Sequence, residues 1–325
     1  MNIETFFDFC SGIGAGRLGL EQCGLICVGR SDTSRLADTT YKLMHSTENE
    51  INYGNLKKIH GSQLPYFDLL VAGFPCQSFS VIGRQNGFND DRGQIIFHIA
   101  RILNEAKPKC FILENVKGLV THDSGKTIRT IINELNKAGY VTSYRVIVSL
   151  DFGIPQMRQR VYFIGFRSDL TLNVKNFEWP TPIALQPLSK FLIDDTNYPS
   201  EIDMEYFMKY LVNPTNISRN YSLNNFLEEE YLIIDTRMND MRLYRNKVPT
   251  LRAQRDGIYY VKNRKLRYLS GYEALLLQGF PKEYADKVKE KVSNRHLLMQ
   301  AGNAMTVNVI AALGKSIKKF FTKEE

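Results

Sequence analysis

The chain has 325 residues, 43% of them hydrophobic and 23% charged, with a formal net charge of +8. This is the balance of an ordinary globular protein with room for two domains or one elaborated domain. It holds no run near ~18 consecutive apolar residues that would indicate a membrane span. Its five cysteines, irregularly spaced, do not make a disulfide framework.

The N-terminus, MNIETFFDFC, lacks the basic start and long apolar core of a signal peptide and reads as a first buried strand. With reduced thiols, this predicts a cytoplasmic protein. Residues 8–19 follow as DFCSGIGAGRLG. From Gly14 they match G-x-G-x-x-G, the dinucleotide fingerprint; from Gly12 they form a tighter G-I-G turn closer to the strand. The pattern alone is weak evidence, and both registers stay open. Cys23 and Cys27 lie four apart, but no second pair or histidine cluster completes a zinc site, so no metal is expected.

From Asn2 to about Arg167, short apolar runs alternate with helical patterns. TFFDF, GLICVG, FDLLVAGF, KCFILENV, YRVIVSL and RVYFIGF read as buried strands. Arg92–Ala106 puts Ile95, Ile96, Ile99, Ile102 and Leu103 on one helical face, and Lys126–Ala138 repeats the scheme. Such alternation predicts an α/β domain with a largely parallel sheet, whose ligands bind at the carboxyl ends of strands. From Ser168 to about Ser293 the pattern weakens, which predicts a second, smaller domain. It is first polar and Asn-rich, with an acidic cluster at Glu228–Glu230, and then basic. Arg237–Arg267 holds ten Lys/Arg against two acids, an excess equal to that of the whole chain. This is either a solvated, salt-bridged surface or a face for a polyanion. Ser270-Gly-Tyr-Glu273 is a capping-box pattern, and Asn303–Phe321 reads as one long amphipathic helix.

Three segments at predicted strand ends carry chemistry. In VAGFPCQSFS, a Gly-Phe-Pro turn presents Cys76 on the loop after a strand. A cysteine is usually an inert buried thiol. Here Gln77, Ser78 and Ser80 are polar, and Arg84 and Arg92 could supply the positive charge that favours a thiolate. In LENVKG, Glu114 ends a buried strand, where a partly desolvated carboxyl could donate a proton or merely cap a helix. In DFGIPQMRQR, Arg158 and Arg160 alternate on an extended segment and are expected to point to one side. A thiolate, a proton-donating carboxyl and paired arginines suit attack on carbon 6 of cytosine with protonation of ring nitrogen 3. That makes carbon 5 nucleophilic toward an electrophilic methyl.

With these motifs in this order, the sequence resembles the DNA (cytosine-5)-methyltransferase family, over nearly the whole chain. The glycine loop, GFPCQSFS, ENV and Q-x-R-x-R carry the resemblance, with LSGYEALLLQGFP and QAGNAMTVNV after them. It implies a Rossmann-like α/β sheet flanked by helices, as in S-adenosylmethionine-dependent methyltransferases. Residues 1–167 and 294–325 would form the catalytic domain and 168–293 a target-recognition domain. It implies Cys76 as nucleophile, Glu114 as the group that holds and protonates the flipped cytosine, Arg160 at the ring carbonyl, and Arg158 as the second motif arginine. S-adenosylmethionine would lie against Cys10, Ser11, Gly12, Ile13, Gly14, Asp32 (as partner of the ribose hydroxyls), Asn55, Leu56, Pro75 and Asn303. Gln77, Ser80, Arg84 and Arg92 would close on DNA. Arg242, Arg245, Arg252, Gln254 and Arg255 would contact it from the recognition domain.

Two positions depart from the family pattern. Cys10 stands where the family has the phenylalanine that stacks on the cofactor adenine, and Asn55 stands in place of an aspartate; weakened cofactor binding is expected. The resemblance further implies duplex DNA as partner, base extrusion, a monomer, no membrane, a bacterial cytoplasmic location and a cognate restriction endonuclease. Other readings remain: a tRNA cytosine methyltransferase, a catalytically inactive DNA-binding relative and, on G-A-G-R-L-G alone, a dehydrogenase.

Overall fold

A computed structural model describes residues 2–47, 50–75, 95–170, 172–193, 202–236, 240–253 and 257–323. The chain forms two compact units. One comprises residues 1–148, 159–182 and 304–325; the other comprises 149–158 and 183–303. The seams therefore fall at 148/149, 158/159, 182/183 and 303/304, whereas the sequence pattern suggested 167/168 and 293/294.

The first unit is built on six strands: β1 (Thr5–Phe9), β2 (Ile26–Ser31), β3 (Leu69–Gly73), β4 (Cys110–Val116), β5 (Tyr140–Val148) and β6 (Gln159–Arg167). Their order is β2-β1-β3-β4-β6-β5. β1 to β4 are mutually parallel, while β6 runs antiparallel to both β4 and β5. Its helices are α1 (Ala15–Glu21), α2 (Arg35–His45), α3 (Ile95–Ala106), α4 (Lys126–Lys137) and the C-terminal α11 (Val307–Lys323).

Strand alternation divides the burial. Phe7, Phe9, Leu70, Ala72, Phe111 and Leu113 form one core with Ile96, Ile99 and Leu103 of α3 and Ile128, Ile131 and Leu135 of α4. Burying each such side chain is worth ~1.5–3 kcal/mol. The chain passes from β1 to β2 on one side and then to β3 on the other. The carboxyl ends of β1 and β3 thus flank a topological switch point, where open α/β sheets bind ligands.

The second unit holds α5 (Met204–Leu211), α6 (Pro214–Ile217), α7 (Leu223–Leu227), α8 (Gly271–Leu276), α9 (Lys282–Asp286) and α10 (Asn294–Asn303). Its antiparallel sheet has β7 (Ile233–Asp235), β8 (Arg242–Tyr244), β9 (Ile258–Lys262) and β10 (Lys265–Tyr268), in the order β10-β9-β7-β8. Phe207, Phe226, Ile234, Met241, Tyr259 and Val261 fill its core. Asn263 and Arg264, both at positive φ (52° and 56°), make the two-residue turn between β9 and β10. Such turns match the twist of paired strands. The expected capping box is present: Ser270 Oγ accepts from the Glu273 N–H, and Glu273 accepts from the Ser270 N–H.

The single C-terminal helix expected over Asn303–Phe321 is not what forms. Asn303 ends α10, Ala304–Thr306 is non-helical, and α11 starts at Val307. The Val309 and Ile310 N–H groups bond back to the Thr306 carbonyl, so Thr306 opens the new helix.

Candidate active site

The glycine loop leaves the buried end of β1 and turns through three left-handed residues: Cys10 (φ 51°), Gly12 (φ 55°) and Gly14 (φ 83°). Only Gly14 could stand where it does. A Cβ there would lie 2.1 Å from His45 Nε2 and 2.9 Å from a ring carbon of Tyr41. His45 Nε2 also lies 3.1 Å from the Ile13 carbonyl, which ties the loop to α2.

Asp32 organises this loop from the end of β2. Its Oδ2 accepts from the Gly12 N–H (2.8 Å) and its Oδ1 from the Ser34 N–H (2.8 Å). Asn52 brackets the Asp32 backbone through both its N–H and its carbonyl. The residue expected to meet a ribose is thus also the one that shapes the turn. Asn55 behaves similarly: its Oδ1 accepts from the Lys57 N–H (3.0 Å), and Leu56 beside it is buried core.

In and next to the loop, Asp8 Oδ1, Ser11 Oγ and Ser31 Oγ are buried and have no hydrogen-bond partner among the described residues. Asp8 Oδ2 accepts from the Arg17 N–H (3.1 Å). Burial pushes the Asp8 carboxyl up to about 7. Burial, and then the Asp32 and Asp8 carboxylates, push the Cys10 thiol up to about 12, so Cys10 is not a thiolate at neutral pH. Phe9 cannot replace the missing family phenylalanine. It is fully buried and stacks on Phe7 with ring centroids 4.3 Å apart.

Two strands along, β3 and β4 end together, with Gly73 paired to Glu114. Glu114 is 7% exposed. β4 and β6 pair Val116 with Arg160, so Arg160 lies diagonal to Glu114 on the same face, within reach of a long side chain. Arg160 Nε lies 3.0 Å from Glu114 Oε1, an ion-pair distance without hydrogen-bond alignment. Gly73 packs closely beside this pair: a Cβ on it would lie 3.7 Å from Glu114 Oε2 and crowd Met305 Cγ at 3.2 Å.

Two residues of this cluster were not singled out from sequence. Asn115, 1% exposed, donates from Nδ2 to the Phe74 carbonyl (3.1 Å) and so fixes the backbone that enters Pro75 and Cys76. The ENV motif itself was the available signal, since a buried asparagine needs a partner. Met305 lies against both ligand-facing ends: its Cε would be 2.9 Å from a Cβ on Gly16, and its Cγ lies against Gly73. No periodic pattern marks it, because it sits in the break between two helices.

Of the remaining predicted residues, Pro75 is exposed at the end of the described strand exit. Cys76, Gln77, Ser80, Arg84, Arg92, Gln254 and Arg255 lie outside the described residues. Arg158 precedes β6, so strand alternation does not set its direction as the sequence suggested. It is 2% exposed in the second unit and donates from Nη1 to the carbonyls of Leu251 (3.2 Å) and Gly302 (3.2 Å). Gln156 beside it donates to the Leu277 carbonyl and accepts from the Leu251 N–H. Gly302 allows this crossing, since a Cβ there would lie 2.3 Å from the Arg252 carbonyl carbon and 2.4 Å from Ala253 N. Asn303 is exposed at the end of α10 in the same unit.

The three described recognition candidates differ. Arg252 is exposed. Arg242 Nε pairs with Asp240 (2.9 Å). Arg245 grips Glu229 with two nitrogens, at 2.5 and 2.7 Å.

Residues 4–319 match the family model described as C-5 cytosine-specific DNA methylase. The chain belongs to that family. Among its relatives, Type II methyltransferase M.HhaI of Haemophilus parahaemolyticus is 34% identical, over 96% of this chain and 93% of its own. Type II methyltransferase M.DsaV of Dactylococcopsis salina is 33% identical, over 98% of this chain and 87% of its own. Among solved structures, the Entamoeba histolytica methyltransferase EhMeth superposes with a TM-score of 0.71 at 20% identity, covering all of both chains. A Spodoptera frugiperda DNMT2 mutant gives 0.69 at 20% identity, over 98% of this chain and 99% of its own. These two likenesses concern the fold alone. This cytosine methyltransferase carries its buried Glu114–Arg160 pair at the carboxyl end of the parallel sheet, in the ENV and Q-x-R-x-R motifs.

Proposed function

We propose that this chain methylates carbon 5 of a cytosine flipped out of duplex DNA, as the modification enzyme of a restriction system in a bacterial cytoplasm. The observation that carries this reading is the Glu114–Arg160 pair, 3.0 Å apart, beside the strand exit that leads through Pro75 to Cys76.

The residues around the glycine loop fit S-adenosylmethionine. Ser11 Oγ, without a hydrogen-bond partner among the described residues, suits a hydrogen-bonding ligand, and Arg17, the basic side chain of the glycine segment, is taken up by Glu21 and Glu50. The loop from Cys10 to Gly14, with Asp32, Asn55 and Leu56, would hold it. When bound, it supplies an electrophilic methyl group on a sulfonium. The chain's own residues do the rest. Cys76, as thiolate, adds to carbon 6 of the base while Glu114 delivers a proton to ring nitrogen 3; once carbon 5 carries the methyl group, its proton is lost to solvent, Cys76 leaves carbon 6 as thiolate, and ring nitrogen 3 returns its proton to Glu114. Arg160 orients Glu114 and meets the ring carbonyl. Asn115 holds the Phe74 backbone in place. Arg158 is a positioning residue: with Gln156 it ties the Q-x-R-x-R segment to the chain around Leu251 and Gly302. The basic segment of the second unit contacts DNA.

The test is transfer of tritiated methyl groups to duplex DNA and, separately, to tRNA. It is paired with covalent trapping on 5-fluorocytosine DNA and bisulfite mapping of the site. Labelled DNA and a trapped adduct that disappears in Cys76→Ala are expected. Labelled tRNA with unlabelled DNA would overturn the DNA assignment. Absence of any adduct would mean an inactive DNA-binding relative.

A further inference from the structure

The +8 excess of residues 237–267 is counted along the chain, and part of it is offset on the folded surface. Acidic side chains from outside the window fold onto it. Glu229 takes the Arg245 guanidinium through two bonds, and Glu228 pairs with Arg264 at the β9–β10 turn. Glu230 Oε2 accepts from the Asn263 N–H of that turn, which pins the acidic segment beside it. Within the window, Asp240 holds Arg242 (2.9 Å) and also Arg219 (2.8 Å). All these pairs lie in the second unit.

We propose that Glu228 and Glu229 hold down DNA affinity and its salt dependence by occupying Arg264 and Arg245 until duplex phosphates displace them. The inference rests on the reading of the basic segment as a DNA contact. A carboxylate presents two oxygens to an arginine fork much as a phosphate does, so the two anions compete for one geometry. The pairs are open to exchange: Arg245 and Glu229 are 60% and 36% exposed, Arg264 and Glu228 72% and 57%. Exposed pairs of this kind are held weakly.

The exchange is common to every duplex. With or without the target, a phosphate replaces a carboxylate at each arginine, so the pairs lower both affinities by a similar factor. Contacts to base edges on the target add to this without changing it. The freed carboxylates also stay beside the duplex and retain cations, which offsets part of the counterion release. The pairs therefore lower the salt dependence of binding.

The experiment uses the full chain with Glu228→Gln and Glu229→Gln together. Fluorescence anisotropy is read from about 50 to 200 mM KCl on a target duplex and on one lacking the target, the range over which phosphate contacts are resolved. The double variant should bind the non-target duplex about fivefold tighter, with a slope of log K against log salt steeper by about 1–2. Target affinity should rise by a similar factor, so the ratio of the two is kept. Unchanged non-target affinity and slope, in a variant that melts like wild type, overturn the proposal. Arg245→Ala with Arg264→Ala separates the levels. If that variant loses non-target affinity while the glutamine variant is silent, the exchange falls and the DNA-binding face stands. If both are silent, the reading of the basic segment falls too.

Discussion

The molecule contains the same pairing, arginine with glutamate, in two settings. At the sheet end, Arg160 and Glu114 are 14% and 9% exposed at the side chain and meet at 3.0 Å. In the second unit, Arg245 and Glu229 are 60% and 36% exposed and are even closer. Distance does not rank them; desolvation does. Taking one partner from the buried pair strands a charge, a change that costs about 3–5 kcal/mol in comparable cases. An exposed charge left alone is taken up by water. The buried pair therefore fixes the Glu114 carboxyl in place, while the exposed pairs are suited to exchange.

The largest expected effect follows from that contrast. Glu114→Gln keeps the shape of the side chain and loses the transferable proton, so methyl transfer should fall by about 10²–10⁴ in tritium assays. Duplex binding should stay within a few fold of wild type. Glu229→Gln should leave the turnover rate near wild type, since it touches no reacting atom. If the two variants have similar rates, the contrast between the settings is wrong.

The next effect compares the two units through their buried carboxyls. Burial raises Asp8 in the first unit and Glu273 in the second to about 7 each. Both lie above the unfolded values of roughly 4. The folded state therefore binds more protons, and the stability these groups contribute is full below about pH 4 and lost as pH rises through about 7. Melting temperature should fall between pH 5 and 8. Asp8→Asn and Glu273→Gln should each remove part of the slope, on the order of a few degrees. An unchanged slope in both variants would mean that neither carboxyl is held protonated.

The smallest effect concerns the glycine loop. A ring at position 10 would add one stacking contact, worth ~0.5–1.5 kcal/mol. Cys10→Phe should accordingly tighten S-adenosylmethionine about two- to tenfold by calorimetry. Equal affinities would show that the contact is made up elsewhere in the loop.

Periodicity and composition carried the first unit well, because its strands are long, apolar and bounded by turn residues. β1, β4 and β6 fall where TFFDF, KCFILENV and RVYFIGF lie. The second unit was less legible. α6 and α7 have four and five residues, too short to show a helical period. The break at Ala304–Thr306 was hidden, since residues on both sides suit a helix and only tertiary contacts set Met305 against Gly16 and Gly73.

Sequence by itself determined the parallel α/β core and the family, because strand patterns and motif order are local properties. Tertiary structure alone decided which groups meet. It joined Glu114 to Arg160 through the β4–β6 register and sent Arg158 to the carbonyls of Leu251 and Gly302. It also folded Glu228 and Glu229 onto the basic segment, for which the sequence had left a salt-bridged surface and a polyanion face both open. Charge in a window of sequence is a sum over neighbours in the chain. Charge on a surface is a sum over neighbours in space, and only the fold supplies those.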